Sequence, residues 1–150
     1  MRPLPLVLTL ALAGVGSALA HADLERSTPA AGEVLETAPA EVMLSFTEAV
    51  EVRFSTFKVY PLGADLEPDV PDAEARVNGL AGALVSEVLE ARGDEAARAD
   101  LGVRTGERTA QTVALPLKPD LAAGVYVVMW RTLSVDTHTT QGFLTFRVAP

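Results

Sequence analysis

The sequence predicts an all-β fold, an antiparallel β-sandwich, on three observations. Apolar residues alternate with their neighbours at Val42, Leu44 and Phe46, at Val113, Leu115 and Leu117, and at Leu144, Phe146 and Val148. That is the period of strands with one buried face. Turn-forming clusters, such as Pro29-Ala30-Ala31-Gly32 and the stretch 119–124, punctuate these runs. No helical spacing interrupts the early part of the chain. Short strands in this order suit two packed sheets with Greek-key connections, an Ig-like arrangement.

Taken in chain order, the first segment stands outside that fold. Arg2 gives a positive start, 4–15 an apolar run, and Ala18-Leu19-Ala20 a small-x-small cleavage pattern, so 1–20 reads as a signal peptide. The apolar run is shorter than the roughly 20 residues of a membrane span. No later stretch is long and apolar enough to span. The expected product is 21–150, one domain acting in the periplasm or elsewhere outside the cytoplasm. A retained N-terminal anchor is the alternative.

Residues 24–27 form a short strand that stops at the Pro29 turn, and Val42 to Phe46 mark the next. Residues 54–60 are rich in β-branched and aromatic side chains and stop at Pro61. Pro116 places the strand around Val113 and Leu115 at an edge or near its own end. Residues 125–134 form the strongest strand. There Tyr126, Val128 and Trp130 face one way, and Val127, Met129 and Arg131 the other. Residues 142–148 close the chain as a last strand.

The stretch 64–110 reads as an insertion between two strands, not as a separate domain. Asp72 follows Pro71 as a helix N-cap. Val77, Leu80, Leu84, Val88 and Leu89 then recur near helical spacing. Gly93 stops this helix, while Gly79 and Gly82 weaken it by about 1 kcal/mol each relative to alanine. A second helical piece runs through 95–101. The apolar stripe packs on the sandwich; a docking surface for a partner is the other reading.

Composition removes several function classes. The net charge is −8, and cleavage of a segment bearing Arg2 makes the product slightly more acidic still. No Lys/Arg cluster marks a nucleic-acid or anionic-lipid surface. There is no cysteine, so an exported domain holds its fold without disulfides, and thiolate metal sites and thiol chemistry are excluded. Met43 and Met129 do not cluster, which argues against a thioether site for cuprous copper.

The chain has two histidines, His21 and His138. Cleavage after Ala20 makes His21 the first residue. Its α-amine and Nδ1 then close a six-membered chelate on one metal ion. Both nitrogens bind as deprotonated donors, so affinity falls in acid. Asp136 lies two positions before His138, and in an extended segment such side chains share a face. One carboxylate oxygen and a third nitrogen complete a tetragonal N/O plane of the kind cupric copper prefers. The competing reading of His138 is an ordinary surface or hydrogen-bonded histidine, because Asp-x-His triplets are common.

These residues carry a family resemblance. The chain resembles the periplasmic copper-resistance protein C (CopC) family in several places. They are His21-Ala22-Asp23-Leu24 with Ser27-Thr28-Pro29-Ala30 and Gly32, and then Phe46-Thr47-Glu48. Towards the C-terminus they are Tyr126-Val127-Val128-Met129-Trp130-Arg131, Ser134-Val135-Asp136-Thr137-His138, and Gly142 with Phe146 and Val148. The resemblance implies a small sandwich that binds Cu(II), with His21, Asp136 and His138 as ligands. It also implies Glu48 as an acidic group near the metal and Trp130 as a core residue close by. Three departures stand out. The family's methionine-rich loop has no counterpart, Thr137 and Thr139 stand where glycine and proline are often seen, and the 64–110 insertion is long.

The expected function is that of a copper carrier or buffer in copper resistance or homeostasis, and not an enzyme. A membrane copper transporter is the implied delivery partner, and a monomer is expected. Two other classes remain open at this point. A copper oxidase with an N-terminal histidine needs an open coordination position and a flat aromatic surface. A metal-free sandwich serving as an interaction module needs neither.

Overall fold

The computed structural model describes residues 22–63 and 71–150, and it realises the predicted strands as two sheets. In chain order the elements are β1 (Leu24–Thr28), β2 (Val34–Leu35), β3 (Glu41–Glu51), β4 (Thr56–Pro61), α1 (Ala73–Val88), β5 (Thr109–Pro116), β6 (Gly124–Leu133) and β7 (Thr139–Val148). One sheet has the order β1-β3-β5 and the other β2-β7-β6-β4. Neighbouring strands run antiparallel except the short β2, which pairs parallel to β7. The sandwich is therefore mixed at one edge. The connection from β3 to β4, and the return to β5, cross between the sheets, as in an Ig-like Greek key.

The core follows the alternation. Val42, Leu44 and Phe46 of β3 and Val113 and Leu115 of β5 meet Tyr126, Val128 and Trp130 of β6 and Leu144, Phe146 and Val148 of β7. Burying each large apolar side chain stabilises the fold by about 1.5–3 kcal/mol. Phe46 sits at the centre, 6.1 Å from the ring of Phe57 and 6.3 Å from that of Trp130, with the indole edge-on. Gly142 lies opposite Trp130 in the β6–β7 ladder. A Cβ there would meet the indole at 2.6 Å, so glycine is what lets the ring lie across β7. Tyr126 donates its hydroxyl hydrogen to Ala122 O at 2.7 Å, a tyrosine corner at the entry to β6. Burial raises its pKa.

β6 is buried on both faces from Val125 to Trp130. Its second row, Val127 and Met129, packs with Ala81 and Leu89, with Leu84, Val85, Val88 and Phe143 around them. The insertion's helix thus lies on the outer face of the four-stranded sheet and turns a two-layer sandwich into a locally three-layered one. Its inward stripe runs through Val77, Ala81, Val85 and Val88, while Leu80 is exposed. The predicted stripe is correct in phase apart from Leu80.

Three local expectations are corrected. Asp72 has left-handed backbone (φ 62°) and makes no side-chain cap bond; its carbonyl instead accepts from Arg76 N at 2.9 Å. A residue in that conformation does not aim its carboxylate at the first-turn amides as an extended N-cap does. Gly93 adopts positive φ (70°), but the helix already ends at Val88. Residues 95–101 are not helical, because their backbone bonds reach across to other strands. Ala99 N donates to Val59 O at 2.7 Å, and Leu101 N to Pro116 O at 2.8 Å. This segment covers the edge of β4 and the edge of β5 together, which protects both from pairing with another chain.

A polar cluster fastens the insertion. The Lys58 side chain is only 4% exposed. Its Nζ donates to Val88 O and Ala91 O at 2.7 Å each and to Asp94 Oδ2 at 2.6 Å, so the ammonium caps the C-terminal end of α1. Tyr60 donates to the same carboxylate oxygen at 2.5 Å. Burial works against the charge on Asp94, yet the bonds from Lys58 and Tyr60 hold its carboxyl below the usual range. Burial, with Asp94 beside it, pushes the Tyr60 phenol up to about 12. Asp100 accepts Val59 N at 2.7 Å and Arg98 Nε at 3.0 Å, completing the seam.

Candidate metal centre

β6 and β7 pair down to Leu133 and Thr139, leaving residues 134–138 as a tight connection at one end of the sandwich. Ser134, 1% exposed, organises it. Its Oγ donates to Asp136 Oδ1, lies 3.0 Å from His138 O, and receives His138 N at 3.2 Å. Ser134 N also donates to His138 O at 2.9 Å, and Thr137 N to Ser134 O at 3.0 Å. Closing so short a loop forces Thr137 into left-handed backbone, φ 75°, which a β-branched residue adopts only with strain.

Within this frame Asp136 Oδ2 lies 2.9 Å from His138 Nδ1. The hydrogen bond from Ser134 leads the influences on the Asp136 carboxyl; desolvation opposes it, and His138 adds to it, so that the carboxyl is pushed down to about 2. The carboxylate is therefore ionised at any physiological pH. A carboxylate oxygen and an imidazole nitrogen 2.9 Å apart lie at the spacing of two neighbouring ligands on one metal ion. The pair is a third to under a half exposed, so a metal ion has access.

Ala22 and Asp23, which lead into β1, lie against the same end. Ala22, fully buried, accepts a 2.9 Å bond at its carbonyl from Thr140 Oγ1. That hydroxyl lies 2.8 Å from the buried Thr132 Oγ1. Asp23 N donates to Thr47 Oγ1 at 3.1 Å, and Thr47 N returns to Asp23 O at 2.9 Å. β3 also meets the 134–138 connection: Val50 bridges Ser134, and Val135 N reaches Ala49 O at 3.4 Å. Three parts of the chain thus converge: the approach to β1, the C-terminal half of β3, and the β6–β7 connection.

The predicted site residues distribute as follows. The side chains of Asp136 and His138 come together, 2.9 Å apart. His21 lies outside the described residues, as does the signal segment 1–20. In the sequence His21 is the residue joined directly to the pinned Ala22. Glu48 is half-buried on β3, between Thr47, which holds Asp23, and Ala49, which meets the loop. Among the described residues no three His, Cys, Asp or Glu side chains gather as a metal group, so Glu48 does not join the Asp136–His138 pair. Trp130 serves the core. Sequence reasoning missed Ser134, Thr140 and Thr132. The Ser-x-Asp spacing, typical of local side-chain turns, is the signal that was available for Ser134.

Comparison with known proteins adds a family match, two relatives and a solved structure. The CopC domain family matches residues 24–86 and 80–149, two overlapping parts that meet in α1. Copper resistance protein C of Pseudomonas syringae pv. tomato is 32% identical over 132 residues, covering 87% of this chain and 82% of the relative. Copper resistance protein C of Escherichia coli is 30% identical over 132 residues, covering 88% of this chain and 84% of the relative. Among solved structures, PcoC of Escherichia coli, described as a methionine-rich copper resistance protein, superposes with a TM-score of 0.57. It is 25% identical and covers 86% of this chain and 99% of its own.

Proposed function

The chain belongs to the CopC family, and from that premise we propose that it binds one copper(II) ion outside the cytoplasm and acts as a copper carrier or buffer. The proposed ligands are the α-amine and Nδ1 of His21, a carboxylate oxygen of Asp136 and one imidazole nitrogen of His138. Glu48 stays in the reading as a nearby carboxylate, not a direct ligand in the arrangement described.

The observation that carries this reading is the convergence at one end of the sandwich. The Asp136–His138 pair is held rigid by Ser134, and the residue that follows His21 is pinned beside it by Thr140. Imidazole and carboxylate are the donor types that suit cupric copper. The methionines of the folded domain support the same oxidation state. Met129 is fully buried under α1 and Met43 is half-buried on β3, so no thioether cluster forms between them.

The rest of the assignment follows from this reading. The segment 1–20 is a cleaved signal peptide, and 21–150 is a single domain in which 64–110 is an insertion. The working form is a monomer in the periplasm or a comparable compartment, and a membrane copper transporter is its partner. Among the described residues no helix is long and apolar enough to cross a membrane. With Asp136 taking one position of the plane, the ion is held for transfer and not for oxidative chemistry.

The test is a copper(II) titration of the chain beginning at His21, following Trp130 fluorescence and the paramagnetic spectrum. One tight equivalent is expected. His138→Ala should weaken it by at least about a hundredfold, given the loss of a nitrogen donor. Equal affinity in that variant contradicts the proposal.

A further inference from the structure

Beside the metal loop the molecule presents an exposed aromatic residue on a rigid turn. Val52–Phe54 forms a short 3₁₀ turn after β3, and Phe54 is 73% exposed. The turn is clamped on both sides. Val52 N donates to Arg108 O at 2.9 Å, Ser55 Oγ donates to Glu51 O at 2.8 Å, and the same Oγ accepts Leu133 N at 3.0 Å. Solvent exposure of a large ring on fixed backbone carries no folding benefit, and rigid aromatics of this kind are what interfaces use as anchors.

Phe54 does not stand alone. It lines a groove of about 470 Å³ with Arg53, Arg108, Leu133 and the loop residues Val135 and Thr137. Val135 is 52% exposed. Arg53 and Arg108 are both exposed. Among the described residues Arg53 and Arg108 make no ion pair, a property shared with the exposed Arg26, Arg76 and Arg92, and Arg53 and Arg108 are the two that line the groove with Phe54.

We propose that this groove is a docking surface for an acidic, apolar-tipped segment of the protein that exchanges copper with this chain. The proposal rests on the copper reading only for the partner's role; the surface itself stands on Phe54, Val135, Arg53 and Arg108. The arginines supply charge complementarity and steer the encounter. Phe54 and Val135 supply the apolar anchor. The groove shares Ser134, Val135 and Thr137 with the metal loop, so a docked segment lies next to Asp136 and His138. A lipid surface fits less well. The apolar surface is a groove, which Glu51 also lines, and not a protruding wedge.

The test uses the copper-free protein and three probes: a short peptide alternating glutamate with leucine, its lysine–leucine counterpart, and vesicles containing phosphatidylglycerol. The glutamate–leucine peptide should shift the amide resonances of Val52, Phe54, Arg108 and Val135. R53E/R108E and, separately, F54S should each weaken that binding by about tenfold or more. Both variants should keep the parent's thermal midpoint and its copper(II) affinity, which separates failure of this surface from failure of the copper site. Equal binding of the lysine–leucine peptide, shifts confined to other surfaces, preference for the vesicles, or self-association through Phe54 each overturns the proposal.

Discussion

Ser134 Oγ is the atom on which the metal loop depends, because it holds Asp136 through its carboxylate and His138 through its backbone at once. Replacing Ser134 by alanine leaves every proposed ligand in place and removes only their support. Loss of such support typically costs about 10–100-fold in metal affinity. We therefore expect S134A to lower copper(II) affinity by that factor, read by competitive titration, with a shifted paramagnetic spectrum. Thr137 poses the opposite case. Its left-handed backbone is strained for a β-branched side chain, and glycine adopts that conformation without penalty. T137G should raise unfolding stability by about 1 kcal/mol in a denaturant titration and leave copper binding intact. A loss of stability would contradict the loop conformation described. Asp136 and His138 were legible in the sequence because their chemistry is carried by residue type and spacing. Ser134 and Thr140 were not. A hydroxyl becomes a positioning group only through the path the backbone takes, and that path is set by Leu133–Thr139 pairing and the Val50–Ser134 bridge.

β6 explains the architecture at the scale of elements. Its two apolar rows were visible in the sequence, one formed by Tyr126, Val128 and Trp130, the other by Val127 and Met129. A strand apolar on both faces needs cover on both, and α1 from the insertion supplies the second. The helix itself was legible from its spacing, since apolar residues at that period are local information. The extended course of 95–101 was not, because it is set by partners far away in sequence, at Val59 and Pro116. The Lys58–Asp94–Tyr60 cluster gives the insertion a pH signature. Asp94 has its carboxyl lowered from the ordinary value of 3.8. A depressed carboxylate contributes stability above its unfolded value and loses it as pH falls through the lowered one. Tyr60 is raised from 10.0 to about 12. Its contribution is complete below pH 10 and disappears as pH climbs through about 12. Unfolding midpoints measured against pH should fall at both extremes; D94N should flatten the acid limb and make the alkaline limb only shallower, because burial leads the Tyr60 shift. A D94N profile parallel to the parent's would show that the cluster does not fasten the insertion. K58M should cost about 3 kcal/mol, the usual consequence of removing one partner of a buried pair.

For the whole molecule, the two ends of the chain's chemistry meet because the sandwich brings the start of β1 beside the β6–β7 connection. Thr140 Oγ1 reaching Ala22 O is the bond that records this meeting. The core fixes it in turn, since β1 pairs with β3 while β7 pairs with β6, and Phe46 packs against Trp130 between them. No disulfide takes part. The proposed copper site is therefore a property of the folded and processed chain, and its assembly depends on which atom precedes His21. In the full sequence the nitrogen of His21 is an amide bonded to Ala20; only the proposed cleavage would make it an amine able to bind a metal near neutral pH. The most direct measurement compares copper(II) binding by two otherwise identical proteins, one beginning at His21 and one carrying a single alanine before it. The account predicts one tightly held ion for the first, with a spectrum typical of tetragonal nitrogen and oxygen ligation, and a loss of at least about a hundredfold for the second. Equal affinity and identical spectra in the two proteins would contradict it.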